Sequence, residues 1–174
     1  MKGQAWVQDA VLSIAIIIFA FAIFMVGYNN LVTTQEFDDI YEENELISEY
    51  LMLEGTPSEW NESNVIRIGI LNSDHSINDT KLDLFRNLTK SNYDNSRSLL
   101  NTRFDFFIFF TDNQGNYINI LNETFIGKTD INDTNLLTID TESIAKTERY
   151  VIKKIDNSNF KEIIRLNVYS WEEG

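Results

Sequence analysis

A chain of 174 residues with 27 Asp and Glu against 14 Lys and Arg carries a formal net charge of −13, so its surface repels nucleic-acid phosphates and offers no electrostatic dock for anionic lipid. Cys is absent, which removes disulfides, thiolate metal sites and Cys nucleophiles. The length suits one folded domain plus an accessory segment, and one Pro with seven Gly argues against long flexible linkers.

The first predicted element is a membrane helix. Between Ala10 and Gly27 there is no charge, and Ser13 is the one polar side chain. At 1.5 Å per helical residue that run is just long enough to cross a hydrocarbon core of ~30 Å. A secretory core segment is shorter, roughly 7–15 residues, and leads to a small-residue cleavage site; Met25-Val26-Gly27-Tyr28 is not one. Lys2 precedes the run, and the next cation after it is Arg67, beyond eight acids from Glu36 to Glu54. Positive charge stays inside, so the N-terminus is cytoplasmic and the remainder is exported. Asp9 stands at the edge of the run. Either it rests among lipid head groups or it is matched to a partner charge, as ionisable groups at membrane depth usually are.

Lys2-Gly3-Gln4, followed closely by an acid and an uninterrupted apolar helix, resembles the class III signal peptide of archaeal type IV pilins. The resemblance implies that a prepilin peptidase cuts after Gly3 on the cytoplasmic side, making Gln4 the new N-terminus and leaving the apolar helix on the mature protein. That family usually has Glu at the fifth mature position. Here Gln8 occupies the fifth and Asp9 the sixth, so the resemblance gives Asp9 the task of meeting the freed amine of a neighbouring subunit's Gln4. The stretches Gly55–Trp60, Val65–Ile70 and Ile77–Leu82 also resemble uncharacterised archaeal proteins with this leader.

Beyond Gly27, Leu31, Val32, Phe37, Ile40, Tyr41, Ile47, Tyr50 and Leu51 recur mostly at steps of three and four, with acids between them. That is the pattern of an amphipathic helix, stopped by Gly55 and Pro57. One helix from Gln4 to Glu54 and two helices with a kink near Gly27–Asn30 both fit. Val65–Leu71 reads as a strand. Thr80, with Asp83 three residues on, reads as the N-cap of a second helix marked by Leu82, Phe85, Leu88, Leu99 and Leu100, with a break near Asn92–Asn95. Phe104–Phe110 is nearly continuous aromatic and reads as a central strand covered on both faces. Thr111–Asn116 is its turn, Tyr117–Leu121 the return strand, and residues 122–138 a loop. Arg149–Ile155 and Lys161–Trp171 form a last hairpin around residues 156–159, its second arm alternating like a half-buried edge strand.

The chemistry-bearing residues are few. His75 is the one His and lies in the polar loop Ser73–Ser76, where a solvated ring is the expectation; with no Cys and no second His, a zinc site is not expected. No P-loop, dinucleotide fingerprint, nucleophile elbow or zincin motif is present. Asp112–Asn116 and Asp130–Asp133 offer oxygen ligands without EF-hand spacing, and turn chemistry accounts for both. Asn-x-Ser/Thr occurs at Asn61, Asn78, Asn87, Asn122 and Asn132, making Asn61, Asn78, Asn122 and Asn132 candidate glycan acceptors on an exported domain; Asn87, inside a predicted helix, is the weakest.

The expected fold class is α+β: a long N-terminal transmembrane and amphipathic helix packed on an antiparallel sheet with an accessory helix. The expected organisation is a leader at 1–3, an assembly helix at 4–27, its amphipathic continuation at 28–54 and an extracellular domain at 55–174. No catalytic residue, cofactor or metal is expected, and the chain is not read as an enzyme. The leading expectation is a structural subunit of a type IV pilus-like surface filament, assembled with identical or related pilin subunits through its helix, with the outer domain available for adhesion. The alternative is a single-pass anchored sensor or partner-binding domain that does not polymerise.

Overall fold

The computed structural model describes residues 2–120, 124–131, 135–141, 143–154 and 160–172, with side-chain surroundings given for all of these except 2–8, 30, 32–35 and 137. The chain divides into two compact units, Met1–Asp38 and Asp39–Gly174. Helix α1, Lys2–Leu51, is assigned without interruption. It outlasts the uncharged run because β-branched and aromatic residues in the first half give way to Glu, Leu and Ile at helical spacing.

The described residues of the first unit are helix alone. In the second, α1 contributes Ile40, Asn44, Ile47, Ser48 and Leu51, all with no exposed surface. Their spacing of three and four places them on one stripe, and that stripe packs on the sheet. Helices α2 (Asp79–Ser91) and α3 (Tyr93–Leu99) follow. Strands β1 (Asp105–Thr111), β2 (Tyr117–Ile118), β3 (Phe125–Gly127), β4 (Ile144–Lys154) and β5 (Lys161–Trp171) form one antiparallel sheet. The order is β2-β1-β5-β4, with β3 also pairing with β1. The α+β expectation is met.

β1 is buried at every position. Phe106, Ile108 and Phe110 join the main core with Ile47, Leu51 and Phe85, while Phe107 and Phe109 turn to a second cluster with Leu136 and Trp171. An aromatic run without alternation is what a strand with two covered faces requires.

Several expectations need correction. Val65–Leu71 is extended but belongs to no strand. Its first amides bond to Asn61 O and Thr56 O, and its last ones to the end of α1 and the residues just after it, Ile70 N to Leu51 O at 3.2 Å and Leu71 N to Leu53 O at 3.0 Å, leaving only isolated bridges such as Thr56–Arg67. The N-cap of α2 is Asn78, not Thr80: its side chain accepts from Lys81 N, and an Asn carbonyl reaches that amide as well as a Ser or Thr hydroxyl does. The break between α2 and α3 falls at Asn92, as expected. The return strand is only Tyr117–Ile118, and the supposed loop 122–138 contains β3 and a 3₁₀ turn at Leu136–Thr138. β5 is interior, flanked by β1 and β4, so the outer strand on that side of the sheet is β4. The expected turn at residues 156–159 lies outside the described residues.

A few residues beyond the end of α1 the chain turns through Gly55 at φ +83, in the left-handed region that favours glycine. Gly69 crosses directly beneath, and a Cβ there would strike the backbone of Leu53, Glu54 and Gly55. Trp60 closes the junction. It is 3 % exposed, and its indole N–H donates to Gly69 O at 2.9 Å.

Candidate functional site

In the first unit, the side chains from Val11 to Asn29 are all exposed, including Phe19 at 70 % and Ile17 at 67 %. Asp9–Asn29, 21 residues, is long and apolar enough to cross a membrane by length and composition. A contiguous apolar surface of this size is far beyond what a monomer keeps in water, so the segment calls for lipid or other helices around it. Asp9 is exposed at its start, and its backbone carbonyl accepts the Ser13 hydroxyl at 2.8 Å, which satisfies Ser13 without a partner outside the helix. The side chains of Gly3 and Gln4 lie outside the described residues, so no pairing geometry with Asp9 is placed.

In the second unit, the most charged buried locus is at the start of β1. Asp105 is 7 % exposed, with Lys128 Nζ at 2.6 Å and the Arg97 guanidinium at 3.6 Å. The neighbouring Phe106 N–H donates to the Tyr93 hydroxyl at 2.9 Å. Burial pushes the Tyr93 phenol well above its usual range, against the opposing pull of the Phe106 backbone. A phenol held protonated and tied to a backbone amide is a poor general base, and the carboxylate is neutralised by two cations. The arrangement locks α3 and β3 to β1 and holds no nucleophile activated by a base. Next to it, a cavity of about 340 Å³ is floored by Phe107, Phe125 and Ile126 and bordered by Arg86, Lys90 and Lys128. Among the described residues no group of three His, Cys, Asp or Glu is placed to hold a metal ion. His75 is exposed, with φ +58. The Asp112 carboxylate accepts from Gln114 N at 2.8 Å and Asn116 N at 2.9 Å, so its oxygens close the turn.

The sequons separate by geometry. Asn61 is exposed in a turn, Asn78 is committed to capping α2, and Asn87 is exposed on α2. Asn122 and Asn132 lie outside the described residues. Sequence reasoning missed two polar loci. Asp105 was the legible one, because a lone acid inside an aromatic strand must find a cation once both faces are covered. The other is Lys81, 6 % exposed, whose ammonium donates to Glu54 O at 2.9 Å and Leu71 O at 3.2 Å; nothing in the sequence marks it off from the solvated lysines.

Compared with known proteins, the chain matches no family model, no curated protein and no solved structure.

Proposed function

We propose that the chain is a structural subunit of a type IV pilus-like surface filament, processed by a prepilin peptidase after Gly3 and assembled with like subunits through its N-terminal helix. The observation that carries this reading is the apolar surface of the first unit, exposed around the helix from Val11 to Asn29 and continued, within the same helix α1, by a stripe built into a folded domain. A simple anchor needs only the first of these. A polymer uses both, because the helix supplies the surface for packing among subunits and the folded domain supplies the outer surface. On assembly the helix leaves lipid for a bundle of similar helices, where its backbone groups stay internally bonded as they were in the bilayer. Asp9, at the entrance to the run, is positioned in sequence to meet the amine of Gln4 on a neighbouring subunit, which lowers the cost of both charges in a medium of low dielectric.

N-terminal sequencing of the protein from its own cells tests this reading. The mature chain begins at Gln4, and Gly3→Val leaves the longer form starting at Met1. A wild-type chain that keeps Met1 in membranes contradicts it and supports the second reading, a single-pass anchored binding domain. The feature that favours that alternative is the cavity of about 340 Å³ on the folded unit, its apolar floor bordered by cations in an acidic protein, a size within the range of ligand pockets.

A further inference from the structure

We infer that Asn61 is a site of N-linked glycosylation, and that of the three sequons among the described residues it is the one built to accept a glycan. The inference rests on the reading that the second unit lies outside the cell. An acceptor sequon must present two groups at once, the Asn amide nitrogen and the hydroxyl two residues on. At Asn61 both are together. The side-chain carbonyl accepts from Ser63 N at 2.9 Å and from the Ser63 hydroxyl at 2.6 Å. Because a backbone N–H can only donate, this contact fixes which side-chain atom is oxygen, and it leaves Nδ2 without a partner among the described residues. The turn is held from both ends, since Asn61 N donates to Asn64 Oδ1 at 2.7 Å and Val65 N to Asn61 O at 3.1 Å. Its base is closed by the Thr56–Arg67 bridge, and the residue just before it is the buried Trp60. Residues 61–64 are all exposed, so a bulky group there displaces no packing.

The other two described sequons fail on the same criteria. Asn78 Nδ2 donates to Asn72 Oδ1 at 2.8 Å while its carbonyl accepts Lys81 N at 3.0 Å, so a sugar on that nitrogen would oppose the cap of α2. Asn87 is exposed, but helical residues two apart point roughly 200° from each other. Its partner Thr89 is 2 % exposed, with its hydroxyl committed to Phe85 O at 2.8 Å.

The co-reactant is a glycan carried on a polyprenyl phosphate or diphosphate. Asn61 Nδ2 attacks C1 of the donor sugar and the N–C1 bond forms. The bond from C1 to the phosphate oxygen breaks, that oxygen keeps the electron pair as the lipid phosphate leaves, and the amide proton passes to a base of the transferase.

Peptide and intact-mass spectrometry of the full-length protein from its own cells tests this, alongside protease accessibility of the domain on intact cells. The expected result is a glycan mass on the peptide containing Asn61, lost in Asn61→Gln and Ser63→Ala, restored in Ser63→Thr and retained in Asn78→Gln. An unmodified Asn61 peptide from a protease-accessible domain overturns the inference alone. An unmodified peptide from a protease-shielded domain overturns it together with the outside location.

Discussion

Ser170 on β5 donates its hydroxyl to Asn44 on α1 at 2.8 Å, across 126 residues of sequence, with both side chains fully buried. Asn44 Nδ2 in turn donates to Thr147 Oγ1 at 2.9 Å and to Val168 O at 3.3 Å, and Thr147 donates to Glu45, which also receives Arg149. A buried amide with its hydrogen bonds satisfied fixes one register of helix on sheet, because any slip leaves it unpaired.

Asn44→Ala is therefore expected to destabilise the protein by about 2–3 kcal/mol, and Ser170→Ala by about 1 kcal/mol. The double variant should cost less than the sum, since the two side chains share one bond. Thermal or denaturant unfolding of the full chain in mild detergent reads all three values.

Lys81 makes a comparable junction at the end of α1. Lys81→Met keeps the aliphatic stem but leaves two carbonyls, Glu54 O and Leu71 O, without their ammonium. The expected loss is about 1–3 kcal/mol, with the first loosening seen as faster amide exchange at Ile70 and Leu71, whose N–H groups bond to the same helix end.

Tyr93 ties α3 to β1. Tyr93→Phe preserves the stacking on Phe106, whose ring centre is 5.2 Å away, but orphans the Phe106 N–H, at a cost of about 1–3 kcal/mol. The wild-type phenol is raised in the folded state, so its contribution is complete below the unfolded value near 10 and is lost as pH rises above it. Unfolding followed from pH 8 to 11 should show a steeper alkaline loss in wild type than in Tyr93→Phe.

Asp74 governs the acid side. Its carboxylate accepts the Ser76 hydroxyl at 2.5 Å and faces Lys154 at 2.9 Å, and those contacts hold its carboxyl well below the usual range. Lys161 is 3.7 Å away. A depressed folded value means a contribution present above the unfolded value near 4 and lost as pH falls below it. Asp74→Asn is expected to be less stable than wild type at neutral pH, with the gap narrowing below about pH 4. Denaturation series at fixed pH measure that gap.

The long elements were legible in the residues that build them. The length of the apolar run, the spacing from Ile40 to Leu51 and the unbroken Phe104–Phe110 stretch are each a pattern that restricts the environment: lipid or other helices, one buried helix stripe, and a strand covered on both faces. What escaped was set by partners distant in sequence. Val65–Leu71 has strand composition, yet its amides are taken by Asn61, Thr56 and the chain at the end of α1, Leu51 and Leu53. β3 is three residues long, too short for a pattern, and exists because β1 offers an edge there. β5 alternates like an edge strand because Arg165, Asn167 and Tyr169 face the second cluster and the β1 turn: Arg165 donates to Asp112 O at 2.9 Å and Asn167 to Thr111 Oγ1 at 3.1 Å. Polar side chains in an interior strand were the misleading signal. The sites followed the same rule. Asn61 shows itself as a sequon, but its difference from Asn78 and Asn87 exists only in the folded geometry.

The most direct test of the central claim is electron cryomicroscopy of filaments sheared from cells that make this protein, with the chain fitted into the density. The account predicts a core of packed N-terminal helices beginning at Gln4, with Asp9 of one subunit against the amine of the next and the Asp39–Gly174 unit on the outside. Filaments that lack this chain, with the protein recovered only as single copies bearing Met1 in membranes, contradict it.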